Sequence, residues 1–244
     1  IIFAGIVSAI PSAIGGTIDL VNNGQMHFLT VIGILLVIFA TVGAIIYVEL
    51  GERRVPVSYS RKVIMQNQNK RVMNYIPIKV NLSGVIPAIF ASAILMFPAT
   101  VLQGSQNKYL VMIADYMNPS SYTFNLFMFL FVVFFAFFYA SITFNAKDIS
   151  ENLKRQGGFI PGVRPGASTA EFLNTVAGRL TFWGAIYMGL ISTLPWLIVK
   201  AMGVPFYFGG VSVLIVVQVA IDTMRKIEAQ QYSNKYQTLS AVGL

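Results

Sequence analysis

The chain contains no cysteine and a single histidine, His27. Without a thiol there is no disulfide, no thiolate metal site and no cysteine nucleophile. Charge is nearly as scarce: 11% of the 244 residues are Asp, Glu, Lys or Arg against 56% hydrophobic, which is not the balance of a soluble domain. Acids are scarcest of all, nine against seventeen basic residues, for a formal net charge of +8. Walker A, HExxH and GxSxG elements are absent. The long apolar runs carry no ionisable residue near their centres, since Glu49, Arg179 and Asp222 lie near run ends. Proton relays, ion-coupled carriers and voltage sensors need such groups at depth, so those classes are disfavoured. His27 opens a run and reads as an interfacial side chain, not a metal ligand. Asp148 and Glu151 form an i, i+3 pair on a basic segment and read as local partners of Lys147, Lys154 or Arg155. The expectation is therefore no catalytic residue, no metal and no cofactor.

What is present is apolar sequence in blocks. Runs at 27–49, 84–102, 122–145, 180–199 and 205–224 each reach the roughly 20 residues that cross a hydrocarbon core as a helix, and a partial run occupies 1–14. Fifteen of the seventeen basic residues fall in three alternate gaps. These are 50–80 (Arg53, Arg54, Arg61, Lys62, Lys70, Arg71, Lys79), 146–179 (Lys147, Lys154, Arg155, Arg164, Arg179) and the tail (Arg225, Lys226, Lys235); only Lys108 and Lys200 lie elsewhere. Because Lys and Arg are retained on the cytoplasmic side, these three segments are expected there, with 15–26, 103–121 and 200–204 outside. A basic membrane-side face can meet anionic lipid, acidic protein or RNA, and charge alone does not choose among them. The opening IIFAGIVSAIP has neither Met nor a basic n-region and starts in mid-run, so it reads as a helix begun upstream, ended by Pro11 and the Gly15-Gly16 pair.

Two loops are long enough to fold. In RRVPVSYSRKVI, Val55, Val57 and Tyr59 alternate with Pro56, Ser58 and Ser60, a strand signal, and VMNYIPIKV supplies a return strand after the polar tip MQNQNKR. Pro56 and Pro77 are expected to confine both strands to sheet edges or strand ends. The second loop opens with a short amphipathic helix through Leu153, stopped by Gly157-Gly158. Its PGVRPG segment then holds Arg164 at a constrained bend before Ser168 or Thr169, with Glu171, starts the next helix. The 84–102 run is the odd span, carrying Pro87, Ser92, Pro98 and Thr100 among apolar residues, as suits a mobile helix or a kinked, closely packed one. These features are compatible with a channel or carrier lined by small residues, a membrane scaffold with docking loops, or an intramembrane enzyme. The last lacks a polar pair in its spans, and a carrier lacks an intramembrane charge or unwound substrate site.

The segments NLKRQGGFIPGVRPGAST, VNLSGVIPAIFASAILMFPAT and GVPFYFGGVSVLIVVQVAID closely resemble the SecY family of bacterial protein-conducting channels, and the resemblance runs over the whole chain. It implies an all-α polytopic bundle of five complete transmembrane helices and part of a sixth, with a short β-hairpin in the first cytoplasmic loop. In family terms 1–14 ends the fifth span, 27–49 is the sixth, 50–80 the 6/7 loop, 84–102 the seventh and 122–145 the eighth. The 8/9 loop is then 146–172, the ninth span 173–199, the tenth 205–224 and the tail 225–244. The resemblance further implies a polypeptide channel that is not itself an enzyme, driven by the SecA ATPase or a translating ribosome, in the bacterial plasma (inner) membrane. By position Ile2, Ile6, Ile89 and Ile215 match the family's apolar pore ring, and Pro87, Ser92 and Phe97 fall in its lateral gate. Lys70 and Arg71 match the basic tip of the 6/7 loop, with lysine replacing arginine at one position, and Arg164 matches the arginine of the 8/9 loop. Implied partners are SecE and SecG, SecA, the ribosome through 23S rRNA and exit-site proteins, signal peptides and nascent chains, anionic lipids, and the family's N-terminal half.

Overall fold

A computed structural model describes residues 2–24, 27–59, 74–103, 109, 116–202 and 210–241. In chain order the elements are α1 (Ile2–Asn22), α2 (Phe28–Glu49), β1 (Glu52–Tyr59), β2 (Asn74–Lys79), α3 (Ile86–Gln103), α4 (Tyr122–Thr143), α5 (Ala146–Arg155), β3 (Gly158–Phe159), α6 (Ala167–Met202) and α7 (Gly210–Ala241). Four stretches are long and apolar enough to cross a membrane, Ala4–Asn22, Phe28–Glu49, Tyr122–Arg155 and Ala167–Lys200, with Ile86–Leu102 shorter. The chain is a mostly helical, multi-pass membrane protein with one small antiparallel sheet. The 205–224 run is described only from Gly210, where α7 begins.

Two compact units divide the chain, residues 1–47 with 191–244, and residues 48–190. In the first, α1 packs against α7. Helix α1 does not stop near residue 14 but runs through Pro11 and the glycine pair to Asn22. Ending a helix inside hydrocarbon would orphan a full turn of backbone carbonyls, whereas one internal proline gives up a single bond. The helix closes where polar residues begin, with Gly24 at φ 68° and its N–H on the Val21 carbonyl.

In the second unit α3 lies along α4. The buried stripe of α4 (Phe124, Met128, Val132, Ala136, Ala140) repeats every four residues, and that of α3 (Ala88, Ala91, Leu95, Ala99) every three or four. Alanines on both stripes let the backbones approach closely, as membrane helices require in the absence of a hydrophobic drive between them. Ser121 caps α4 by accepting from the Thr123 N–H at 3.3 Å, and Asn125 donates back to the Pro119 and Ser121 carbonyls, each at 2.9 Å. Pro87 falls in the first turn of α3, because the helix begins at Ile86 rather than 84. Its missing N–H frees no carbonyl there, so Pro98 is the only proline interrupting the α3 ladder.

The sheet has the order β2-β1-β3, with β1 antiparallel to both neighbours. The expected hairpin is present, yet β1 is the central strand despite Pro56. Register explains this. The Val80 N–H donates to the Gly51 carbonyl, which makes 51↔80 a hydrogen-bonded pair and, counting along Glu52↔Lys79 and Arg54↔Pro77 to Pro56↔Tyr75, puts both prolines at non-hydrogen-bonded sites. Neither proline therefore removes a ladder bond between β1 and β2. On its other side β1 meets β3 only at Ser58 and Tyr59, beyond Pro56.

Candidate docking surface and gate helix

Alternation along β1 points Val55 and Val57 to one side, where they join Ile78 of β2 in a small buried core. The other half of that core comes from the second loop and the helix after it, through Ala146, Leu153, Ile160 and Leu173. The two polar loops, about a hundred residues apart in sequence, are thus one folded module. Strand β3 is the seam: a Cβ at Gly158 would lie 2.9 Å from the Tyr59 ring and 3.0 Å from Leu153, so only glycine lets the backbone sit there undisturbed. Asn145 caps α5, its Oδ1 accepting from the Lys147 and Asp148 N–H groups while its Nδ2 donates to Asp148 at 2.7 Å. Glu151 sits 3.8 Å from Arg155, one of the partners expected for the acid pair, whereas Asp148 accepts from the Asn145 cap.

Between Gly157 and α6 the chain takes the bend that carries Arg164. Gly162 (φ 85°) and Gly166 (φ 103°) occupy the left-handed region on either side of it, where a side chain would be strained. Val163 donates its N–H to the Ile160 carbonyl at 3.0 Å. Two buried hydroxyls fasten the far side: Thr169 Oγ1 donates to the Arg164 carbonyl at 2.8 Å and Ser150 Oγ to the Gly166 carbonyl at 2.7 Å. Thr169 is inside the first turn of α6 rather than capping it, and the Gly166 carbonyl accepts the helix's opening bonds from Thr169 and Ala170. The backbone of Arg164 is thus held from both sides, while its side chain is exposed and, among the described residues, engaged by none. The outer face of the hairpin carries Arg54, which donates to Glu52 at 2.8 Å and lies 4.9 Å from the centre of the Tyr75 ring. That hydrogen bond, aided by the tyrosine, raises the guanidinium's pKa above its ordinary value. Lys70 and Arg71 lie outside the described residues.

Where the sheet meets the helices there is a buried polar group that no local sequence pattern announces. Glu49, the last residue of α2, is 5% exposed, and Asn81, between β2 and α3, is 4% exposed. Asn81 Nδ2 donates to Glu49 Oε1 at 2.6 Å, to the Gly84 carbonyl at 3.2 Å and toward Met188 Sδ of α6 at 3.2 Å, and its Oδ1 accepts from Ser83 Oγ at 3.1 Å. Helix α6 presses in at Gly184, where a Cβ would stand 2.7 Å from the Val80 carbonyl oxygen. Glu49 does lie at a run end, as expected from the sequence, but it is buried rather than interfacial.

The residues assigned to the lateral gate do not share a face of α3. Pro87 is fully buried, Ser92 is half-buried with its hydroxyl on the Ile89 carbonyl at 2.9 Å, and Phe97 is 74% exposed. Phe97 belongs to a separate exposed stripe with Phe90, Ile94 and Val101. Of the pore-ring residues, Ile89 is half-buried on α3 in the second unit, while Ile6, half-buried on α1, and Ile215, buried on α7, are in the first. Ile2 begins α1, its side chain outside the described set.

The sequence profile of the SecY family matches residues 1–224. The chain belongs to the SecY family. It is 67% identical over 244 residues to the SecY protein translocase subunit of Helicobacter pylori (strain ATCC 700392 / 26695), covering 100% of this chain and 58% of that one. To the SecY subunit of Escherichia coli (strain K12) it is 40% identical over 246 residues, covering 98% and 55%. The chain thus spans just over half the length of these SecY relatives. Among solved structures it is similar to a SecY protein described for a plug domain stabilising the closed state of its translocation channel (TM-score 0.64, 17% identity, 95% of this chain and 59% of that one). It is also similar to a protein-conducting channel (TM-score 0.59, 16% identity, 91% and 54%), and at these identities the likeness speaks for the SecY fold alone.

Proposed function

We propose that this chain supplies the second half of a channel that passes unfolded polypeptides across the bacterial plasma membrane and releases hydrophobic segments sideways into lipid. The observation that carries the reading is the joined two-loop module, with Arg164 held at a fastened bend and its guanidinium free among the described residues, beside apolar runs that carry no ionisable residue near their centres. Such a module is a docking platform on the cytoplasmic side. Arg164 offers a planar donor fork to a shaped acceptor on SecA or the ribosome, whose ATP hydrolysis or peptide synthesis drives movement. Lys70 and Arg71 at the hairpin tip meet phosphates of 23S rRNA. Ile2, Ile6, Ile89 and Ile215 close a greasy waist around the moving chain, since an apolar constriction seals against any sequence and resists wetting when empty. The exposed stripe of α3 around Phe97 forms one wall of the lateral exit, with Pro87 and Ser92 setting that helix's packing. SecE, SecG, anionic lipid and the first half of the channel complete the assembly.

The test is Arg164→Glu in the full-length channel with its partner subunits in proteoliposomes. Reversing a desolvated contact costs a few kcal/mol, so translocation of a secretory reporter should fall by roughly 30-fold or more, with channel accumulation unchanged. Wild-type translocation by that variant would refute the docking role.

A further inference from the structure

The Glu49–Asn81 group sits at a junction of four elements. Asn81 follows the residue that closes the hairpin base, Val80, whose N–H is on the Gly51 carbonyl at 3.0 Å, and it precedes Gly84, whose φ of 63° turns the chain into α3. Its carboxamide reaches the last residue of α2, the entry turn of α3 and Met188 of α6 together. An amide nitrogen has two hydrogens for these three acceptors, so the site is fully subscribed and a shift toward one loosens another. Glu49 is almost fully buried, and a charge-assisted bond is the kind of compensation such a carboxylate needs. The Gly184 contact leaves Val80, one residue earlier, no room to move toward α6. A displacement of the hairpin base is therefore not taken up toward α6 and reaches the entry into α3 through Asn81.

We propose that Asn81 is a positioning residue for α3, and that its bond to Glu49 holds this helix in the arrangement seen here and passes motion of the docking hairpin into it. The proposal rests on the reading of α3 as a wall of the lateral exit. Removing the bond frees α3 and favours the open exit without any signal from the hairpin. The 49–81 bond can be reversed: in Glu49→Gln with Asn81→Asp the donor moves to position 49 and the acceptor to position 81, and the Ser83 hydroxyl can still donate to position 81, while the donation to the Gly84 carbonyl is lost.

The experiment uses the full-length channel with its partner subunits in proteoliposomes and compares a reporter bearing a weakened signal sequence with one bearing an intact signal. Asn81→Asp alone sets two carboxylate groups against each other and should raise the weakened-to-intact ratio about tenfold, within the usual range of coupling between sites. The Glu49→Gln/Asn81→Asp double variant regains the 49–81 bond but not the one to Gly84, so it should bring the ratio at least about threefold below that of the single variant without reaching wild type. Should Asn81→Asp fail to accumulate, Asn81→Ser, too short to reach Glu49 and uncharged, carries the same expected rise. An unchanged ratio in the single variant, or a double variant as permissive as the single, overturns the proposal. A photo-crosslinker at Phe97 separates the two levels: if it labels the signal sequence while Asn81→Asp leaves the ratio unchanged, only the positioning role falls. If it labels nothing in the wild type, the exit-wall reading falls and takes the proposal with it.

Discussion

Gly184→Ala is the sharpest probe of how the module is joined to the helices. The added Cβ would lie 2.7 Å from the Val80 carbonyl oxygen, whereas a carbon seldom approaches a carbonyl oxygen closer than about 3.3 Å. Roughly 0.6 Å must therefore be found, and backbone must yield it, since the atom struck is not the end of a flexible side chain. Overpacking of this kind costs about 1–3 kcal/mol. The same substitution at Gly178, on the same helix, meets nothing within 4 Å. Both changes gain about 1 kcal/mol of helix propensity, which cancels in the comparison and leaves the strain as the difference. The roughly 2–4 °C per kcal/mol of chains of 150–250 residues falls to about 1–2 °C per kcal/mol at the length of a full channel, so Gly184→Ala should unfold a few degrees below Gly178→Ala in the purified full-length channel. Hydrogen exchange should locate the damage as faster exchange of the Val80 amide, which bonds to Gly51 at the hairpin base. Equal melting temperatures together with an unaltered Val80 amide would refute the close approach.

Two further outcomes test the docking surface. Thr169→Val keeps the side chain's shape but leaves the Arg164 carbonyl without its 2.8 Å bond, a loss of about 1 kcal/mol, and should weaken binding of the cytoplasmic motor about fivefold, with Thr169→Ser restoring it. Lys70→Glu with Arg71→Glu should weaken ribosome cosedimentation more at moderate than at very low salt, and binding unchanged at every salt concentration would count against phosphate contacts at the tip.

What could be read in the sequence was what repeats locally. The alternation of Val55 and Val57 located a strand because strand burial has a period of two, and the apolar runs located the helices for the same kind of reason. PGVRPG announced a rigid bend because proline and glycine act on their own backbone. Partners distant in sequence left no such trace. Nothing near Gly158 shows that it completes a sheet with Tyr59, and nothing near Glu49 shows that it will bond to Asn81, thirty-two residues on, whose amide also meets Met188, a further hundred and seven away. Pro11 and Pro56 misled for a related reason. A proline reports a missing donor, and whether that donor was needed depends on the medium around α1 and on the register of β1.

That register has a consequence for traffic past the hairpin. Among the described residues no strand pairs with the outer edge of β2, which presents Tyr75, Pro77 and Lys79, or with the start of β1, which presents Glu52, Arg54 and Pro56, so each edge has a proline where an incoming strand would look for an N–H. Extended polypeptide is ready to add itself to any open sheet edge. For a protein whose proposed cargo is a stream of unfolded chains, an edge that accepted strands would snare the cargo at the entrance. With both edges blunted, the hairpin can be gripped through its side chains by a folded partner while the passenger slides by unrecognised.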